Sequence, residues 1–349
     1  MHIIFVFENF TLGGVERVSE QLIIGLKKLY QCKISIICER NQGELTNRFA
    51  KIAPIFILRN RNNFTHFKKI SNSLSPDLVV FTKGGLSKYS IMLSNHIKTV
   101  AIQHVPINLP EKSKMKNLLR KSGAKLLYSR VDHIVCVSDG ILTNLVQLKV
   151  IKSEKASRIY NPVLDNKIKE MANCNVEYQD YFVSVGRLHY QKGYDLLISA
   201  IFKVKETLDS IKVVIIGDGP ERSSLEELIR EKNLERNIII HGPSKNPYKY
   251  IANSNGILLS SRWEGLPTVL VEAAYLDRPI IAFDCRYGPK ELTENGKSGY
   301  LVNFLDTNSL AERIVFLYNS KTSMKSPNVE SFSLSAATTY YYSLFKSLL

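Results

Sequence analysis

A chain of 349 residues with 44% hydrophobic side chains has room for two domains of ordinary size, each with its own core. Its net charge of +15 is uneven: residues 1–165 hold 25 Lys and Arg against 11 Asp and Glu, while residues 166–349 hold 22 against 21. No apolar run approaches the roughly 20 residues that span a bilayer. The five cysteines (Cys32, Cys38, Cys136, Cys174 and Cys285) form no Cys-x-x-Cys pair and no metal spacing. These features argue against a membrane-spanning, disulfide-stapled or zinc-binding protein and predict free thiols in the reducing cytosol.

The apolar start, His2 to Phe7, is cut off by Glu8 and Asn9 and lacks a basic flank, so it predicts a first strand and not a signal peptide. Ile3–Phe7, Lys33–Cys38, Ile55–Leu58, Leu78–Phe81, Thr99–Gln103 and His133–Val137 read as strands. Val15, Val18, Leu22, Leu26 and Leu29 recur at helical spacing and predict a helix over Val15–Tyr30. Such alternation predicts a parallel sheet with helices on both faces. The first strand runs into Glu8-Asn9-Phe10-Thr11-Leu12-Gly13-Gly14. Gly13 and Gly14, just before a helix, let the backbone approach a ligand closely, although a plain strand–helix turn looks the same. The pattern is not Gly-x-Gly-x-x-Gly, so NAD is not indicated. Lys112, Lys114, Lys116, Arg120, Lys121, Lys125 and Arg130 crowd into 19 residues. They form either a solvated helix face or a patch for anionic lipid or nucleic acid. The charge asymmetry between the halves favours a partner.

The first sheet ends near Ile159-Tyr160-Asn161-Pro162-Val163, and a polar stretch without periodicity follows as a linker. A new unit begins at Tyr181, with strands Phe182–Val185, Lys212–Ile216, Ile238–His241, Ile257–Leu259, Pro279–Phe283 and Tyr300–Val302. Helices Asp195–Lys205 and Glu221–Lys232 lie between them. This is a second doubly wound sheet. The expected domains are 1–165, basic and acceptor-facing, and 166–330, which holds the nucleotide. Residues 331–349 read as an amphipathic packing helix, for which the N-terminal domain is one surface to pack back on.

Ligands of open α/β sheets bind beyond the carboxyl ends of the strands, and two facing sheets would bring those ends to a shared cleft. The candidates fall at such ends: Gly13 and Gly14; His104; Ser138 and Asp139; Gly186, Arg187 and Lys192; Gly217 to Pro220; His241-Gly242; and Glu264 to Glu272. Arg187 and Lys192, five apart in one loop, can bracket a diphosphate or remain two solvated cations. Pro267 suits the first position of a helix continued by Thr268 to Tyr275, whose free N–H groups form an anion site. Glu264 stands in the loop before it, and Glu272 about two turns along. Glu272 can accept bidentate hydrogen bonds from a ribose diol or serve the helix dipole. Two carboxylates beside an anion site suit a nucleotide sugar. His104 can contact substrate or move a proton, or be structural. No Asp-x-Asp pair, P-loop or hydrolase elbow occurs, which disfavours a metal-dependent mechanism.

The chain resembles a retaining glycosyltransferase of the GT-B fold, family 4, over nearly its whole length. The motifs are Glu264-Gly265-Leu266-Pro267…Glu272, Val185-Gly186-Arg187…Lys192-Gly193, Gly13-Gly14-Val15-Glu16-Arg17, Val137-Ser138, Tyr160-Asn161-Pro162, Ile216-Gly217-Asp218-Gly219-Pro220 and Tyr287-Gly288-Pro289-Lys290-Glu291. Gly296-Lys297-Ser298-Gly299-Tyr300-Leu301-Val302 is a further match. The resemblance implies two facing Rossmann-like domains with an interdomain cleft, no cofactor or metal, and a nucleotide-sugar donor of the UDP-sugar class. It implies Glu272 on the ribose, Arg187 and Lys192 on the diphosphate, and Glu264 with Gly265 and Leu266 on the transferred sugar. His104 matches the family's active-site His near the sugar's 6-position. Val105 departs from the Asp that follows that His in many members. A front-face mechanism with retention is the family precedent. A basic first half suits a lipid-diphosphate-linked acceptor in surface polysaccharide synthesis (O-antigen, capsule or lipopolysaccharide), at the inner face of the membrane. Rival readings are a DNA-modifying or nucleic-acid-binding protein, marked by steep salt dependence, another GT-B enzyme such as an epimerase or phosphorylase, and a non-catalytic partner subunit. The chain lacks the aromatic-interleaved basic motifs of RNA modules, and no nucleic acid partner is expected.

Overall fold

Apolar runs without polar alternation become strands buried on both faces, as a parallel sheet covered by helices requires. The computed structural model describes residues 1–11, 13–58, 62–109, 111–320 and 325–349. Leu12 of the first glycine loop lies outside the described residues. The chain divides into two units, Met1–Val163 with Glu330–Leu349, and Leu164–Val329.

In the first unit the order is β1 (His2–Phe7), α1 (Gly14–Tyr30), β2 (Lys33–Cys38), α2 (Thr46–Ile52), β3 (Ile55–Ile57), α3 (Asn63–Leu74), β4 (Leu78–Phe81), β5 (Lys98–Gln103), α4 (Lys114–Ser129), β6 (His133–Cys136), α5 (Asp139–Gln147) and β7 (Ala156–Arg158). Among the described residues these strands form a seven-stranded parallel sheet in the order β3-β2-β1-β4-β5-β6-β7. The winding reverses between β1 and β4, which pair directly. Every residue of β1 is buried. Phe7, Phe10 and Phe49 fill one face, with ring centroids 4.9–5.6 Å apart. The edge strand β7 was not foreseen. Its Ala-Ser-Arg sequence carries no apolar run, and it is a strand only because β6 offers a free edge.

The second unit holds α6 (Lys167–Ala172), β8 (Phe182–Val185), α7 (Tyr194–Thr207), β9 (Val213–Ile216), α8 (Arg222–Glu231), β10 (Ile238–Gly242), α9 (Tyr248–Ala252), β11 (Ile257–Leu259), α10 (Thr268–Tyr275), β12 (Ile280–Phe283), α11 (Pro289–Leu292), β13 (Tyr300–Val302) and α12 (Thr307–Ser320). Its six described strands are parallel in the order β10-β9-β8-β11-β12-β13, so the winding reverses between β8 and β11. Leu197 and Ile201 of α7 and Leu310 and Ile314 of α12 anchor one core cluster with Phe182, Ile215 and Phe283 from the sheet. All five cysteines are free thiols, and only Cys174 is exposed.

The last helix, α13 (Leu334–Leu348), belongs to the first unit and packs on α1. Ala337, Thr338, Tyr341 and Phe345 are its buried stripe. Tyr30 stacks on Tyr342 at 3.8 Å, and its hydroxyl donates to Thr339 Oγ1 at 2.8 Å. The two helices approach closely because α1 presents Gly25: a Cβ there would lie 2.2 Å from Thr338 Oγ1 and 3.0 Å from its Cγ2. Gly25→Ala is therefore expected to destabilise the protein by about 1–3 kcal/mol despite alanine's better helix propensity. Thr338→Ala in the same chain should recover part of the loss. Chemical denaturation of the four members of this cycle measures it, and purely additive effects would refute the contact.

Candidate functional site

Each unit has an ion pair with a buried carboxylate at the carboxyl end of the strand pair where the winding reverses, the place where loops leaving in opposite directions open a crevice. In the second unit that pair is β8 and β11. The loop after β8 is held by buried Leu188, whose N–H donates to Asp218 O at 2.9 Å and whose carbonyl accepts from Glu221 N at 3.2 Å. Gly217 lies so close that a Cβ would sit 1.8 Å from Gly186 O. The loop then forms a short 3-10 turn, Tyr190–Lys192, and enters α7 through Gly193. Gly193 has a left-handed backbone, φ 63°, and lies against Ser260 O.

The loop after β11 is stitched to this one. Arg262 N donates to Gln191 O at 2.7 Å, Gln191 Nε2 to Trp263 O at 2.9 Å, and Ser260 Oγ to Lys192 O at 3.0 Å. Arg262 makes a two-pronged ion pair with Asp195 at 2.6–2.8 Å and lies over the Tyr190 ring. At the centre, Lys192 Nζ donates to Glu264 Oε1 at 2.7 Å, and Ser261 Oγ donates to the same oxygen at 2.6 Å. Glu264 is buried. Among the described residues nothing donates to its Oε2. Pro267, packed against Gly288, is extended (ψ 91°) and caps α10 from outside. Leu270 N–H is taken by Pro267 O, which leaves Thr268 and Val269 N–H at the helix end. Thr268, Glu272 and Tyr275 form the less buried face of α10, while Val269, Leu270, Val271, Ala273 and Ala274 are buried.

In the first unit the pair is β1 and β4. Gly13 caps α1 in an extended conformation, and a Cβ on it would lie 2.5 Å from Glu16 Oε2. At Gly14 the space is open. Glu16, nearly fully buried, pairs with Lys83 Nζ at 2.9 Å. Lys83 also reaches Glu8 at 3.4 Å, and Glu8 in turn holds Arg40. Burial alone would lower the Lys83 pKa, but the hydrogen bond and charge of Glu16, with Glu8, outweigh it and raise it. His104 follows β5, the strand beside β4. Burial and then the charge of Lys83, opposed by the Thr82 backbone, push its pKa down to about 4. Its Nε2 is shut off from solvent and has no hydrogen-bond partner among the described residues. The ring is neutral near pH 7, a hydrogen-bonding group and not a cation.

The structure thus joins Lys192, Glu264 and Gly186, where an added Cβ would lie 3.3 Å from Lys192 Cε. It does not bring Arg187 to them: Arg187 is exposed and makes no hydrogen bond or ion pair with any described residue. Pro267 stands one residue before the helix and not at its first position; Glu272, counted from the helix start at Thr268, lies a little over one turn into α10 and not two. Gly265, Leu266 and Pro267 are buried, and Glu272 is half-buried. Ser138 caps α5 through Ile141 N, Asp139 pairs with Arg158, and His241 is hydrogen-bonded by Tyr178 and Tyr250. Lys83 was missed. The one available signal was a lysine directly before a second glycine pair, Gly84-Gly85, at a strand end.

Two family models match the chain, Glycosyltransferase Family 4 over residues 12–166 and Glycosyl transferases group 1 over residues 167–329. An uncharacterized glycosyltransferase of Methanocaldococcus jannaschii is 36% identical over 143 residues, covering 41% of this chain and 34% of that one. The chain spans about a third of that relative's length. The N-acetylgalactosamine-N,N'-diacetylbacillosaminyl-diphospho-undecaprenol 4-alpha-N-acetylgalactosaminyltransferase of Campylobacter jejuni is 29% identical over 88% of this chain and 87% of its own. The Anabaena protein HepE, solved in complex with UDP, has the same fold, with a TM-score of 0.81, full coverage of both chains and 18% identity.

The depressed pKa of His104 sets a pH test. Between the ordinary 6.5 and about 4, the unfolded chain binds a proton that the folded chain refuses. The contribution of neutral His104 is thus present above pH 6.5 and drains away as pH falls toward 4, by roughly 1–3 kcal/mol. Thermal unfolding at pH 7 and pH 4.5 should show a smaller drop for His104→Gln than for the parent. An equal drop would show that His104 is not held neutral.

Proposed function

The chain belongs to the GT-B glycosyltransferases of group 1 and family 4, and we propose that it moves a hexose or N-acetylhexosamine from a UDP-sugar onto a lipid-diphosphate-linked glycan in bacterial surface polysaccharide synthesis. The observation that carries this reading is the Lys192–Glu264 pair, which places a cation and a carboxylate side by side in the crevice between β8 and β11. The UDP held by the Anabaena structure and the diphospho-undecaprenol in the name of the Campylobacter relative support the donor and acceptor classes.

In this reading Glu272 accepts the ribose diol, and the backbones at Gly13, Gly14, Gly186 and Gly217 allow close approach of the phosphates. Lys192 exchanges Glu264 for the diphosphate, and Arg187, without a partner among the described residues, adds its planar fork. Glu264, once released, takes a sugar hydroxyl beside Gly265, Leu266 and Pro267. Neutral His104 hydrogen-bonds the sugar near its 6-position. The bond from C1 to the β-phosphate oxygen breaks, the acceptor oxygen bonds C1 on the same face, and its proton passes to the departing phosphate. The configuration is retained. The cations Lys192 and Arg187 stabilise the leaving charge in the role a metal plays elsewhere. A cytoplasmic enzyme at the inner face of the membrane meets both substrates.

A thermal-shift screen of nucleotide sugars, followed by mass analysis of products on lipid-linked acceptors, tests the donor and acceptor. Lys192→Ala and Arg187→Ala should each lower kcat by about 100-fold or more with the fold intact. A fully active double variant would refute the diphosphate role. Turnover should survive metal chelation, and loss on chelation restored by a divalent cation would overturn the metal-free mechanism.

A further inference from the structure

Helix α4 has its polarity inside out. Its packed face carries polar anchors: Asn117 accepts from Leu109 N and donates to Leu109 O and Lys112 O at 3.0–3.1 Å. Arg120 donates to Ile107 O at 2.8 Å and Pro106 O at 3.4 Å, and buried Tyr128 donates to Gln103. The opposite face is apolar and in water. Met115, Leu118, Leu119 and Leu126 are 74%, 61%, 66% and 68% exposed. At 3.6 residues per turn these positions form one stripe, with small Ser122 between them. Lys114, Lys121 and Lys125 flank the stripe on one side, and Lys116 and Arg130 on the other. Residues 112–130 contain no acidic side chain.

A solvated helix normally puts leucines inward and charges outward. Here four large apolar side chains project on a turn-by-turn ridge, while the inward contacts include an amide, a guanidinium and the buried Tyr128 ring beside half-buried Ala124 and Leu127. No helix of the described residues is long and apolar enough to cross a membrane. A ridge one helix long, edged by cations, matches a surface that is oily beneath and anionic above. We propose that α4 lies in the plane of an anionic bilayer, with Met115, Leu118, Leu119 and Leu126 in the acyl boundary and the flanking lysines among the headgroups. This inference rests for its purpose on the lipid-linked acceptor proposed above, and names the device that holds the enzyme at that lipid. The charges set the preference for anionic lipid, and the ridge makes the attachment resist salt, because apolar burial is not screened.

The test uses the full chain with vesicles of phosphatidylglycerol and phosphatidylethanolamine, against vesicles of phosphatidylcholine. The protein should sediment with the anionic vesicles, and a clear fraction should remain bound between about 0.1 M and about 0.5 M salt. Leu118→Ser with Leu119→Ser should lower partitioning about tenfold or more, with an unchanged unfolding temperature because both positions are exposed. Tryptophan emission of Leu118→Trp should shift to the blue on adding anionic vesicles, a response that purely electrostatic adsorption would not give. Absent sedimentation, an unshifted emission, or equal binding by the double-serine variant overturns the proposal. So does a dimer in light scattering that the double-serine variant dissolves while vesicles go unbound, which would make a second copy the occupant. UDP binding is measured alongside. Failure on vesicles with UDP binding intact removes this inference alone, and failure to bind any nucleotide sugar removes the proposed function alone.

Discussion

The ion pair between Lys192 and Glu264 depends on, and closes, the reversal of winding in the second sheet. β8 and β11 are neighbours in the sheet but far apart in the chain, and their loops leave in opposite directions. One backbone hydrogen bond, from Arg262 N to Gln191 O, and two donated by the Gln191 and Ser260 side chains to backbone carbonyls hold the loops together, and Lys192 and Glu264 meet at 2.7 Å. As a stabilising device the pair is poor, since Glu264 is buried and its desolvation offsets most of the attraction. Its value is positional. A cation and a carboxylate are kept close and preorganised in a place where helix N–H groups also converge, so a ligand carrying both phosphate and hydroxyls can replace one internal contact with several of its own.

The second sheet was largely legible from the amino-acid sequence, because strands buried on both faces leave uninterrupted apolar runs such as Phe182–Val185 and Ile257–Leu259. Boundaries slipped where the decision is made by neighbours. Pro267 has a φ that suits the first helical turn, yet its contact with Gly288 goes with an extended ψ that delays the helix by one residue. β7 carries no apolar signature at all and exists through its pairing with β6. The Glu264 loop was visible because its residues are contiguous. The Glu8–Lys83–Glu16 chain was not, because two separate strand ends and one helix start contribute to it. The local signal, Lys83 directly before Gly84-Gly85, says nothing of partners that lie that far away in the chain.

The two crevices differ in electrical character. In the first unit, Lys83 is held between two carboxylates, and this same cation helps keep His104 neutral. A histidine in that state is a poor proton store, and the Val105 that follows it adds no acid. In the second unit the carboxylate of Glu264 is held by a lysine and a serine on a single oxygen. His104, held neutral with its pKa pushed down to about 4, is not a general base tuned near pH 7. In the proposed function the departing phosphate takes the acceptor's proton, a route that asks no such base of His104.

The excess positive charge can be read the same way, residue by residue. Part of it is neutralised internally: Arg40, Arg48, Lys83 and Lys88 each meet a carboxylate. The cations of α4 other than Arg120 have no such partner on their own helix, and they border leucines that the first unit leaves uncovered. Charge alone would attract any polyanion, and exposed leucines alone would attract any apolar surface. Only their interleaving at helical spacing narrows the choice to an anionic lipid face. The net charge of the chain is therefore a weak guide to its partner, and the order of side chains around one helix is a strong one.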